Sequence, residues 1–145
     1  MARVNFRLLR PLALASLIAN AALVVTGAAV RLTGSGLGCP TWPRCTDESY
    51  TTTAAMGVHG AIEFGNRLLT FVLVAIALAC FVAALLERPR RRSLVLLALA
   101  VGLGIPGQGV VGGITVLTDL NPWVVGLHFL LLATAVLVPM TRRRD

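Results

Sequence analysis

The chain has 145 residues, of which 57% are apolar and only 13% charged, with a mean hydropathy of +0.83. Soluble domains carry about 25% charged residues, so an ordinary water-soluble globule is excluded. The formal charge of +7 comes entirely from arginine, and ten of the 13 arginines sit in three short clusters between long apolar runs. That is the punctuation of a membrane protein and argues against a nucleic-acid partner.

Arg3, Arg7 and Arg10 precede an apolar run that predicts a first helix over about 11–31. The run is longer than the roughly 7–15 residue apolar core of a signal peptide, and Arg31 follows it directly. The segment therefore reads as a retained helix. A loop is expected over 32–54 and a second helix over 55–86. That helix exceeds the roughly 20 residues a bilayer needs, so its first turns, to about residue 67, project or line a polar cavity. Arg88, Arg90, Arg91 and Arg92 separate it from a third helix over about 93–114. A fourth is expected over about 121–140, ahead of Arg142, Arg143 and Arg144.

Helices satisfy their own backbone hydrogen bonds in lipid, and no strand-like alternation suggests a barrel. The expected fold class is all-α: a polytopic membrane protein forming one four-transmembrane-helix bundle across residues 1–145. Four spans place both termini and the 87–92 loop on one side, with ten arginines against Glu87 and Asp145. The other side holds Arg31, Arg44 and Arg67 against Asp47, Glu48, Glu63 and Asp119. The positive-inside rule then puts both termini in the cytoplasm of a multi-pass protein in the cell membrane.

The loop after the first helix contains Gly34, Gly36 and Gly38, then Cys39-Pro-Thr-Trp-Pro-Arg-Cys45. It lacks the Lys-Ser/Thr ending of a phosphate loop. The cysteines are spaced too widely for common metal or thioredoxin motifs. Topology places both on the oxidising side, where a disulfide persists, and Pro40 and Pro43 bend the segment so that their Cα atoms can come within about 7 Å. Such a bond either shapes or redox-gates a site, or simply staples the loop. Cys80, deep in the second run, reads as a packed small hydrophobe.

Among His59, Glu63, Asn66 and Arg67, spacings of four, three and four put His59, Glu63 and either of the last two on one helical stripe. Ionisable groups at membrane depth are costly and mark functional sites by default. Glu63 and Arg67 alone would make an i,i+4 pair, which leaves His59 and Asn66 unexplained. His128 lies in the fourth run, six residues after Pro122. Counting about 1.5 Å per residue from the helix starts puts Glu63 and His128 at similar depth, with His59 nearer the surface. Imidazoles on bundle helices are the usual axial ligands of a buried haem. The third helix carries Gly102, Gly104, Gly107, Gly109, Gly112 and Gly113, with Gln108 as its mid-helix polar side chain. Such glycines let helices, or a flat macrocycle, approach closely.

These segments together resemble the N-terminal half of the heme A synthase family of cytochrome oxidase assembly proteins. The matching stretches are Thr26 to Cys45 (TGAAVRLTGSGLGCPTWPRC), Ile62 to Arg67 (IEFGNR), Gly112 to Pro122 (GGITVLTDLNP) and Leu127 to Leu132 (LHFLLL), in the family's order. The resemblance covers the chain from about residue 20 to 135. It implies a haem-dependent oxidoreductase that converts a methyl group of haem O to the formyl group of haem A for aa3-type cytochrome oxidase. It implies haem b or haem O in the site, Glu63 as the catalytic carboxylate, and His128 as a ligand of haem iron. Around the haem it places Asn66, His59, Arg67 and Arg31. Where many members have histidine three residues after the glutamate, this chain has Asn66, a poor iron ligand. His59, about 10 Å further out, is then the alternative ligand, or the position stays open.

The family's usual body has eight helices in two equivalent halves. The chain is therefore expected to pair with a second copy or with a missing C-terminal half. Membrane lipid, haem O, haem O synthase and cytochrome oxidase are the implied partners. Two rival readings stand beside this one. The first is a non-catalytic haem-binding assembly subunit. The second is a small transporter or quinone-redox protein with Glu63 as proton carrier and Cys39–Cys45 as exchanger.

Overall fold

The computed structural model describes residues 8–87 and 89–141, with side chains on the last helix described as far as Leu131. Arg3, Arg7, Arg88 and Arg142 to Arg144 lie outside the described residues. Four helices follow in chain order: α1 (Leu9–Leu32), α2 (Gly57–Leu86), α3 (Arg92–Leu117) and α4 (Pro122–Thr141). A short 3₁₀ turn, Ala54–Met56, leads into α2. The all-helical fold expected from the sequence is present. By length and composition, α1, α3 and the α2 segment with its 3₁₀ lead-in can each cross a bilayer, while α4 is apolar but shorter over its described part, Pro122–Leu131.

The ends of these helices follow from local chemistry. Pro11 falls in the first turn of α1, where its missing N–H would have had no helical acceptor. At the other end Gly34 takes φ +68°. Its N–H reaches Arg31 O, and Ser35 N–H reaches Val30 O at 2.9 Å, the paired bonds of a Schellman cap. The end of α3 repeats this pattern: Asp119 N–H meets Val116 O and Leu120 N–H meets Thr115 O at 2.8 Å. Here no glycine is present, and Asp119 and Leu120 adopt φ +50° and +58°, a conformation costly for a branched side chain. Asn121 then caps α4 by accepting Trp123 N–H at 3.0 Å, with Pro122 as the first helical residue.

Closure into the four-helix bundle expected from the sequence is not shown among the described residues. The helices pack in chain order, α1 on α2, α2 on α3 and α3 on α4, and among the described residues α4 touches neither α1 nor α2. The core is small. Ala19, Leu73, Ala77 and Ile105 form it, with Leu23 and Ile76 against it. Leu73 is fully buried. Outward faces carry large apolar groups such as Phe71, 71% exposed, and Trp123, 87% exposed, which lipid or another protein segment would cover. Among the described residues, nothing lies within 4 Å of a Cβ added at Gly102, Gly104 or Gly107 of α3.

Candidate functional site

The residues linking α1 to α2 fold over one end of the helices, here termed the loop end. Cys39 and Cys45 are joined in a disulfide, with Cα atoms 4.4 Å apart and both residues fully buried. Met56 Sδ packs 3.7 Å from Cys45 Sγ. The loop sits on its neighbours with no room for a side chain at the contacts. A Cβ at Gly38 would lie 2.2 Å from His59 O, so the loop backbone rests directly on the first turn of α2. Trp42 lies over Gly113 of α3, where a Cβ would come within 2.3 Å of the indole. Leu120, in its left-handed turn, presses its methyl groups against Gly36.

Glu63 and Arg67 hold this loop from below. Glu63 is 4% exposed. Its Oε2 accepts Cys39 N–H at 2.7 Å, and its Oε1 accepts bonds from Arg67 Nε and Nη2. Arg67 also donates to three carbonyls of the disulfide ring: Nη2 to Cys39 O at 2.8 Å, Nη1 to Thr41 O at 2.9 Å and Nη1 to Arg44 O at 3.1 Å. A guanidinium has five N–H donors, and all are in use. Arg67 therefore has no donor left for a ligand anion in this arrangement. Arg44 itself turns outward, over the Tyr50 ring and onto Asp47 O.

His59 is exposed at the rim of a shallow depression lined also by Gly34, Leu37, Gly38, Pro40 and Met56. Its Nδ1 is 2.9 Å from Oγ of the fully buried Ser35, which in turn is 2.7 Å from Thr33 Oγ1. Asn66 Oδ1 accepts the Thr26 hydroxyl at 2.7 Å, across the α1–α2 seam. Arg31 is exposed on the last turn of α1.

His128 occupies a different seam. Its imidazole lies against Gly112 of α3, where an added Cβ would be 3.4 Å from Cε1. Gln108 Nε2 donates to His128 O at 3.4 Å. Two buried atoms here have no hydrogen-bond partner, His128 Nδ1 and Gln108 Oε1. The structure thus brings Glu63, Arg67 and the cysteine loop together. It does not bring His128 into contact with Glu63, Asn66 or His59, since α4 touches α3 alone among the described residues. Counted along their helices, Glu63 and His128 each lie about 9 Å in from the helix start.

Several partners were not legible in advance. Thr26, Ser35, Trp42 and Leu120 each meet a site residue or glycine far away in sequence. Nothing local marks such pairs. The one available signal was polarity within an apolar run, which singles out Thr26 and Gln108.

Among the described residues no three His, Cys, Asp or Glu side chains gather to hold a bare metal ion. A haem brings its own equatorial nitrogens and asks the protein only for axial ligands. The orphaned imidazole of His128, beside a glycine that leaves the ring room, fits one axial position. For the second, Asn66 is bonded to Thr26, while His59 meets Ser35 through Nδ1 and keeps Nε2 for another partner.

Residues 10–143 match the family described as cytochrome oxidase assembly protein. The chain is similar to a Heme A synthase of Geobacillus kaustophilus (strain HTA426), 29% identical over 106 residues, covering 73% of this chain and 32% of that protein. It is also similar to a Heme A synthase of Halalkalibacterium halodurans, 31% identical over 121 residues, covering 80% of this chain and 40% of that protein. It therefore spans about a third to two fifths of the length of these relatives. No solved structure matches it significantly.

Proposed function

The chain belongs to the cytochrome oxidase assembly protein family, and on that premise we propose that it is a haem-dependent membrane oxidoreductase of haem A biosynthesis. The substrate is haem O, whose methyl group becomes the formyl group of haem A for an aa3-type oxidase. The observation that carries this reading is the match across residues 10–143, supported by two relatives named Heme A synthase. Because the chain spans under half of those relatives, the working body includes a second copy or a further segment.

Within this body His128 would hold the haem iron, through an imidazole whose Nδ1 has no partner of its own. Bound haem, as haem b or haem O, supplies the redox chemistry. Glu63 accepts protons released as the methyl group is oxidised, a task for a positioned carboxylate. Its bond to Cys39 N–H keeps one oxygen on the loop. The arginine asymmetry orients both termini to the cytoplasm and the disulfide loop to the outer face. Reporter fusions within residues 33–53 that report a cytoplasmic location would refute this orientation.

A second reading has one observation in its favour. Both oxygens of Glu63 are already bonded within the protein, as expected of a haem-binding assembly subunit that does not turn over. Pigment extraction from a haem-O-producing host expressing the full chain separates the two. Haem A, or its alcohol intermediate, supports the enzyme; haem without either product supports the subunit. Purified protein with no haem absorption removes both.

A further inference from the structure

The sequence explains Arg67 as half of an i,i+4 ion pair with Glu63. The geometry gives it a larger part. Only two of its five hydrogen bonds go to Glu63. The other three go to the carbonyls of Cys39, Thr41 and Arg44, all inside the ring closed by the Cys39–Cys45 bond. Backbone carbonyls that converge on one point repel one another unless a cation lies among them, and a planar fork fixes their directions as well as their charge. Glu63 completes the grip. Its Oε2 takes the N–H of the same Cys39 whose carbonyl Arg67 takes, so the pair reads both polar groups of one ring residue.

We infer that Arg67 is a positioning residue: its guanidinium is the template on which the Cys39–Cys45 ring folds, and through Cys39 it fixes the Glu63 carboxylate at the loop end of α2. The disulfide form of the ring is the form that presents three carbonyls to Arg67. The template therefore stabilises the disulfide relative to the dithiol. It does so by geometry, because a lysine ammonium is a point charge on a flexible stem that cannot reproduce the fork. This inference does not depend on the haem reading, since a chain that never bound haem would still show it.

The test is the equilibrium between disulfide and dithiol. Membranes carrying the full chain in a Cys80→Ser background are equilibrated with graded ratios of reduced and oxidised dithiothreitol. Free thiols are trapped with a maleimide and counted by mass. Arg67→Lys and Arg67→Gln should each shift the equilibrium toward the dithiol at least tenfold, which is about 30 mV for this two-electron couple. The same shift should persist with Glu63→Gln in place. A wild-type equilibrium in Arg67→Lys would show that charge alone suffices and would overturn the inference. So would a shift that disappears in the Glu63→Gln background, since Arg67 would then merely neutralise a buried carboxylate. If Arg67→Gln fails to insert, Arg67→Lys alone and in the Glu63→Gln background gives the same two readings. Wild-type helix content by circular dichroism separates loss of the template from loss of the fold.

Discussion

The loop end and the α3–α4 seam are both polar patches in an apolar chain, and they are built in opposite ways. At the loop end both oxygens of Glu63 and all five donors of Arg67 are bonded. At the seam, His128 Nδ1 and Gln108 Oε1 are buried without partners. Leaving a buried polar group unpaired costs about 1–3 kcal/mol. A satisfied network is architecture, because breaking any member strands the others. At the seam, Gln108 on α3 and His128 on α4 each leave hydrogen-bonding capacity open. From the sequence, Glu63 is expected as the catalytic carboxylate and His128 as the iron ligand; the structure bonds both oxygens of the first and leaves Nδ1 of the second without a partner.

The largest expected effects come from removing the central residue of each patch. His128→Ala should abolish haem binding, read as loss of the Soret band in detergent-purified protein, while the Cys39–Cys45 bond still forms. Glu63→Gln should keep the haem band and stop formation of haem A and its alcohol, read by chromatography of extracted pigment. If His128→Ala retained haem while Glu63→Gln lost it, the division of labour would be reversed and the loop end would be the binding site.

How far the sequence could see differs between the two regions for physical reasons. Helix number and approximate limits were legible, because apolar length and arginine clusters are local properties. The third helix was expected to stop near 114 but runs to Leu117, where the backbone bonds from Asp119 N–H to Val116 O and from Leu120 N–H to Thr115 O end it. The cysteine pair, Glu63 and His128 were visible as polar or reactive residues out of place. Closure of the bundle was expected and is not shown among the described residues; apolar faces look alike whether they meet a helix or lipid. Arg67 was read as an ion pair since that spacing is local. Its three carbonyl partners come from a loop more than twenty residues away.

Glycines sharpen the contrast at intermediate cost. At Gly113 an alanine Cβ would sit 2.3–2.6 Å from the Trp42 indole, a clash that the ring must leave its place to relieve. Gly113→Ala should destabilise the protein by about 1–3 kcal/mol and shift Trp42 emission toward that of a solvated indole, measured in a Trp123→Phe background. At Gly102 the added methyl meets nothing. Gly102→Ala should be neutral or stabilise by up to about 1 kcal/mol through helix propensity. Equal destabilisation at both positions would mean that α3 packs against something at 102 as tightly as it packs against Trp42.

A small change in stability should also come from the α1–α2 seam. Asn66 is held at the α1–α2 seam by a single hydroxyl, that of Thr26, so Thr26→Val should cost only about 1 kcal/mol. Yet position 66 decides whether α2 contributes to the haem site at all. Asn66→His replaces a poor iron ligand with a strong one, on the stripe that includes Glu63. Because one hydrogen bond is all that holds residue 66 toward α1, the imidazole is free to turn away from it. The expected outcome is a six-coordinate low-spin haem spectrum with stability changed by no more than the Thr26→Val cost. An unchanged spectrum, in both Asn66→His and the Thr26→Val, Asn66→His double variant, would show that residue 66 belongs to the α1 seam and that α2 does not face the iron there. His59→Ala would then decide between the two histidines left. Loss of haem in that variant would make His59 the partner of His128 and place the macrocycle nearer the disulfide loop.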